Sequence, residues 1–253
     1  MAGLLAVLLM AGCLDGSVLD RRDDPSSQAD RVERLLTNET DSRIVIHAYY
    51  VPGREPVSVA VDRLAGRLMD LTGKLDVTVA PFVALTTETD SLDTNWTVDR
   101  VDAVFEGLDV PETARTFTLV ILFLDGYGYS GVRVAGYQVE RYLAIFPDTF
   151  EYTGLTEPVD ARVPVPDPEG SKQLEVMLHE SGHMLGLINH GAPMVTDHVD
   201  RTEECLCHSS NEASIMWSGV DTLVEKAQRG LVDRDFDADD LADLKAFQTA
   251  ASS

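Results

Sequence analysis

The sequence predicts one α/β domain, an α+β arrangement with a twisted mixed sheet, and three observations carry that prediction. Apolar runs of strand length alternate with stretches of helical periodicity through the first half of the chain. Residues 116–124, Thr-Phe-Thr-Leu-Val-Ile-Leu-Phe-Leu, form the most apolar run outside the N-terminus, as expected of a central strand covered on both faces. Two further helices are written into the second half, one around residues 173–185 and one at 237–247.

Taken in order, residues 43–51 (Arg-Ile-Val-Ile-His-Ala-Tyr-Tyr-Val) read as a buried strand, and residues 57–71 carry apolar residues at helical spacing until Gly73 stops them. Residues 75–85 are a second strand, and residues 96–108 an amphipathic helix. The glycine-rich, aromatic stretch 126–146 suggests shorter strands around Val132, Val134 and Tyr142 to Ile145. Pro158, Pro164, Pro166 and Pro168 make residues 158–169 a loop, because proline lacks the N–H that regular helix needs. The terminal helix is capped at Asp237 and places Leu241, Leu244 and Phe247 on one face. Asp233, Asp235, Asp237 and Asp239 have the alternation of a calcium loop but lack its glycine and closing glutamate, which favours capping over a structural Ca2+. No internal repeat is present.

Acidic residues outnumber basic ones 43 to 20, a net charge of −23, which excludes nucleic acid as a partner. Such self-repulsion is relieved by salt, where the Debye length falls from about 30 Å at 0.01 M to about 3 Å at 1 M. The balance therefore predicts a salt-adapted protein. At the N-terminus, Leu4 to Met10 form an apolar run that closes on Ala11-Gly12-Cys13, too short for a permanent membrane span. It looks like a lipoprotein signal, although no Lys or Arg precedes it. Residues 1–13 are thus expected to be a signal segment with Cys13 as the lipidated residue, 14–30 a flexible acidic tether, and 31–253 the folded domain. That organisation predicts an extracytoplasmic protein, either secreted or anchored at the cell surface through the lipid on Cys13 as its only membrane contact. Cys205 and Cys207, one residue apart, are poorly placed for a disulfide; a strained bridge, free thiols and a contact with another chain all stay open.

The chemistry lies in His179-Glu180-Ser181-Gly182-His183-Met184-Leu185-Gly186. Residues four apart share a helix face, so His179 and His183 can direct two imidazoles at one zinc ion, and Glu180 lies close enough to act as general base. Gly186 permits a left-handed turn that ends the helix. This His-Glu-x-x-His-x-x-Gly run resembles the metzincins, zinc endopeptidases in which the chain turns after the glycine to bring up a third ligand. Ser214-Ile215-Met216-Trp217-Ser218-Gly219 is similar to the methionine turn that lies beneath the zinc in that family, with Met216 as its methionine and Ser214 where many relatives carry cysteine.

The sequence departs from the family where the third ligand is due, since that position holds Asn189. His190 would require the turn to slip by one residue, and His198, flanked by Asp197 and Asp200, is the favoured ligand. Residues 189–200 also resemble surface metzincin-like proteins of bacteria and archaea. Cys205-Leu206-Cys207-His208 has the form of half a structural zinc site without a second half. The resemblance implies a metzincin-like zincin domain that hydrolyses protein or peptide substrates, with one zinc held by His179, His183 and His198, and Glu180 as base. A surface strand ahead of the zinc helix, within residues 126–146, would bind extended substrate. The alternative is a non-catalytic surface binding protein on the same scaffold.

Overall fold

The computed structural model describes residues 25–86, 95–129, 133–139, 141–152, 168–202, 206–218 and 234–251. In chain order these form α1 (Pro25–Leu36), β1 (Arg43–Tyr50), α2 (Ser58–Thr72), β2 (Asp76–Val79), β3 (Val83–Ala84), β4 (Asn95–Trp96), α3 (Val98–Glu106) and β5 (Thr116–Phe123). They are followed by β6 (Tyr127–Tyr129), β7 (Arg133–Val134), β8 (Gly136–Val139), β9 (Tyr142–Ile145), α4 (Thr149–Tyr152), α5 (Pro168–Met184) and α6 (Ala238–Ala251).

Among the described residues the main sheet runs β2-β1-β5-β9-β8, with β3 also paired to β1. The β1 pairs with β2, β3 and β5 are parallel, as is β5 with β9, whereas β8 runs antiparallel to β9. All eight residues of β5 are buried, which the unbroken apolar run at 116–124 foretold. Its alternate side chains feed two separate cores. Phe117, Leu119, Ile121 and Phe123 join Ile44 and Ile46 of β1 under α2 and α5, while Val120, Leu122 and Leu124 join Trp96, Val98, Val101 and Tyr142 on the side of α3. A sheet covered on both faces is the α/β architecture expected, and the mixed strand directions agree with it.

Several element boundaries differ from the sequence pattern, each for a local reason. The strand expected at 75–85 is split into β2 and β3, and Leu75 points to solvent at 91 % exposure. The helix expected from residue 96 starts at Val98, because Trp96 sits in β4 with its indole Nε1 donating to the Asp125 carbonyl at 2.6 Å. Pro168 opens α5 instead of interrupting it, since the first helical position needs no N–H; residues 158–167 of the expected proline-rich loop lie outside the described residues. At the N-terminus α1 begins at Pro25, inside the stretch read as tether, because Val32, Leu35 and Leu36 have a core to bury against. Cys13 and the rest of 1–24 lie outside the described residues, and no described helix is long and apolar enough to cross a membrane.

The terminal helix shows the largest departure. Asp237 caps it as expected, its Oδ1 accepting the backbone N–H of Asp239 (2.9 Å) and Asp240 (3.0 Å). Its inward face, however, carries Asp240, Asp243 and Leu244, while Leu241 is 42 % exposed. The cap and a hydrogen bond from Ser214 Oγ to Asp240 Oδ2 (2.6 Å) set the rotation of the helix against the simple apolar stripe.

Gly73 ends α2 in the left-handed conformation, φ 69°, and its N–H returns to the Met69 carbonyl. The next residue, Lys74, is fully buried and donates from Nζ to the carbonyls of Thr37 and Asp41, tying the α1–β1 connection to the end of α2. Burial lowers its pKa to about 8. Lys74→Ala should therefore cost about 3 kcal/mol in urea unfolding, the range expected for two bonds to a charged donor. Because the folded protein releases this proton more readily than the unfolded chain, the wild-type advantage over Lys74→Ala should grow as pH rises from about 8 toward the ordinary lysine value of 10.5. A pH-independent difference would contradict the assignment.

Candidate metal centre

Helix α5 packs against α2, β8 and β9. Leu174, Met177 and Leu178 anchor one face in the core, which carries His179, Glu180 and His183 on the next turns into a closed interior. After Met184 the chain leaves the helix through Gly186, whose φ of 90° and carbonyl bond from Ala192 N–H (2.8 Å) require glycine: a Cβ there would stand 2.7 Å from the Ala192 nitrogen.

His179, His183 and His208 converge, each buried, with one ring nitrogen apiece lying within 4.8 Å of the others. His179 Nδ1 donates to the Ile215 carbonyl at 2.7 Å, which leaves Nε2 as a lone pair, and that atom lies 3.1 Å from His183 Nε2. Two imidazole nitrogens so close share either a proton or a cation. Burial favours the cation-ready form: His179 is pushed down to about 3, chiefly by desolvation and then by His208, and His183 is held well below its usual value for the same first reason. Three buried, convergent imidazoles are a donor set that fits zinc.

Glu180 is 1 % exposed, and neither carboxylate oxygen has a hydrogen-bond partner; burial pushes its pKa up to about 8. It faces the start of β8, so closely that a Cβ on Gly136 would lie 2.9 Å from Glu180 Oε1 and 2.8 Å from Val176 Cγ1. The strand that passes the carboxylate is thus the terminal strand of the main sheet, as the stretch 126–146 suggested.

Beneath the histidines, Met216 is fully buried in the turn read from the sequence, and it touches α5 at Gly182. A Cβ at residue 182 would stand 2.1 Å from Met216 Sδ and 2.9 Å from Phe236 Cε1. Glycine is therefore what lets the turn approach the helix.

The third imidazole is not the one favoured from the sequence. His198 is buried elsewhere, with Nδ1 bonded to the Thr196 carbonyl (2.9 Å) and Nε2 3.5 Å from Asp240 Oδ1 and 3.7 Å from Asp243 Oδ2. Asn189 is exposed and spends its amide on the Leu206 carbonyl at 2.6 Å. His190 does enter the interior, its ring 4.7 Å from that of His183 at 54°, and burial lowers it to about 4, making it a wall of the site beside the convergent trio. His208 lies next to a short antiparallel bridge between Val199 and Ser209. The signal in the sequence was proximity to the methionine turn, since His208 precedes Met216 on the same short segment. Cys207 beside it is disulfide-bonded, so its sulfur is not a thiolate ligand of the half-site read from Cys205-Leu206-Cys207-His208, of which Cys205 lies outside the described residues.

No family model and no curated protein matches the sequence. The fold is nonetheless that of a metzincin-like α/β protein: the crystal structure of archaemetzincin from Methanopyrus kandleri superposes with a TM-score of 0.52 over 81 % of this chain and 95 % of that one, at 18 % identity. At that identity the likeness speaks for the fold alone.

Gly182→Ala should lower stability by about 3 kcal/mol, the upper range for an extra methyl forced into a packed interior, read by urea denaturation. An unchanged midpoint would show that Met216 does not press on the helix.

Proposed function

We propose that this chain is a zinc-dependent endopeptidase, with His179, His183 and His208 holding the ion and Glu180 serving as general base. The observation that carries the proposal is the convergence of three buried imidazoles next to a buried carboxylate that has no hydrogen-bond partner. When bound, zinc supplies Lewis acidity, polarising a carbonyl and acidifying water.

The chain's own groups account for the rest of the chemistry. The Ile215 carbonyl holds His179 in the tautomer that offers Nε2, and Met216 supports the helix from below. Glu180 takes the proton of the attacking water and returns it to the leaving amine. Left alone in its apolar site it would hold that proton too tightly for a base at neutral pH, at about 8, and a dication beside it favours the carboxylate. β8, passing Glu180 at Gly136, is the strand against which an extended peptide would pair. The lipid-anchored, extracytoplasmic address read from residues 1–13 would bring such an enzyme to external proteins.

Glu180→Gln should retain bound zinc and lose at least about 10²-fold in kcat, the contribution of a positioned general base. The measurement is casein or peptide hydrolysis alongside metal content. Undiminished hydrolysis would overturn the role of Glu180, and hydrolysis unaffected by a chelator would overturn the zinc assignment.

A further inference from the structure

Asn189 occupies the place where a third imidazole was due, and its side chain has a definite use. Its Nδ2 donates to the Leu206 carbonyl at 2.6 Å, two residues ahead of His208. Asn189 is also firmly joined to the helix that carries His179 and His183. Leu185 N–H returns to the Ser181 carbonyl (2.8 Å), Gly186 N–H to that of His183 (3.0 Å) and Leu187 N–H to that of Gly182 (3.0 Å), while Leu187 and Ile188 are fully buried. The turn after Met184 is thus an extension of α5, with Asn189 exposed at its end.

The backbone is left-handed on both sides of this contact, with φ of 47° at Ile188, 67° at Asn189 and 51° at Leu206. A β-branched residue such as Ile188 adopts that region only where its surroundings impose it, and the core that takes up its side chain does so here. Asparagine is among the residues that tolerate it.

The place of the bond gives it its consequence. A peptide is planar, so holding the Leu206 carbonyl holds the plane of peptide 206–207. On the other side of His208, its own carbonyl accepts from Asp200 N–H (2.8 Å), which holds the plane of peptide 208–209, and Ser209 N–H donates to the Met216 carbonyl (2.9 Å). One peptide, 207–208, lies between these two held planes, and it leads into the Cα from which the His208 imidazole projects. The Cys207 disulfide restrains the same stretch through a side chain rather than through the backbone.

We propose that Asn189 is a positioning residue of the metal centre, its amide tying the end of α5 to the Leu206 carbonyl and so setting how His208 meets His179 and His183. The inference rests on the reading of those three histidines as the zinc site. Asn189 acts through Leu206 and does not itself touch the ion. At the position from which metzincins supply a ligand, this chain holds in place the segment that supplies one.

The test is zinc affinity of the full chain in high salt, measured by competition with a chromophoric chelator, in a double-mutant cycle with His208. Asn189→Ala should weaken zinc binding about 10-fold, the lower end for a residue that orients a ligand, because the exposed amide competes with water. Asn189→Gly should do the same; glycine accepts the left-handed backbone freely, so agreement between the two assigns the loss to the amide and not to strain. In the His208→Ala background neither change should weaken binding further. Unchanged affinity in both Asn189 variants, with His208→Ala still weakening it, would overturn the proposal and leave the zinc trio intact. An equal loss with and without His208 would mark a general structural role and overturn it too. Zinc binding that is absent in wild type, or indifferent to His208→Ala, would overturn the trio and this proposal with it.

Discussion

The hydrogen bond from His179 Nδ1 to the Ile215 carbonyl joins the two elements on which everything at the centre relies, helix α5 and the methionine turn. It selects the tautomer that presents Nε2, and it fixes the ring plane at a place where solvent cannot compete. The same interface admits no side chain at residue 182, so Met216 sits directly against the helix backbone. Backbone contact of this kind is less adjustable than side-chain packing, so the spacing between the turn and the helix is fixed closely.

The surrounding fold delivers this interface rather than merely enclosing it. Alternation along β1 and β5 creates two cores, and the one under α2 and α5 takes up Leu174, Met177 and Leu178, so the histidine-bearing face of α5 is oriented by its apolar face. The sheet ends in β8, which is antiparallel to its neighbour and approaches Glu180 where Gly136 leaves room. Glu180, the helix that carries it and β8 are therefore mutually positioned by a single packing arrangement. Desolvation there lowers His179 and raises Glu180, opposed shifts with a single cause.

Local sequence showed the helices and strands well wherever one periodicity ruled a segment. The β5 run, the β1 run, the α2 repeat stopped at Gly73 and the His179–His183 spacing all rest on interactions within a few residues, and all are present in the structure. The third histidine was not legible in the same way. His198 has flanking acids and lies nearer to Gly186, whereas His208 stands beside a long-range pairing, the bridge from Val199 to Ser209, that no local pattern announces. The rotation of α6 was hidden for a related reason. A stripe of Leu241, Leu244 and Phe247 suggests an apolar inner face, whereas bonds from Ser214 and Val195 draw Asp240 and Asp243 inward, and those partners lie 26 and 48 residues away in the chain.

The central claim is that the trio of histidines is a metal centre with His208 as its third member. Anomalous diffraction at the zinc edge from crystals of the full chain grown with zinc would test it most directly. A peak in contact with Nε2 of both His179 and His183 and a ring nitrogen of His208 is the predicted result. A peak at His179 and His183 completed by His190 or another group, with His208 turned away, would contradict the account, as would the absence of any peak at this trio.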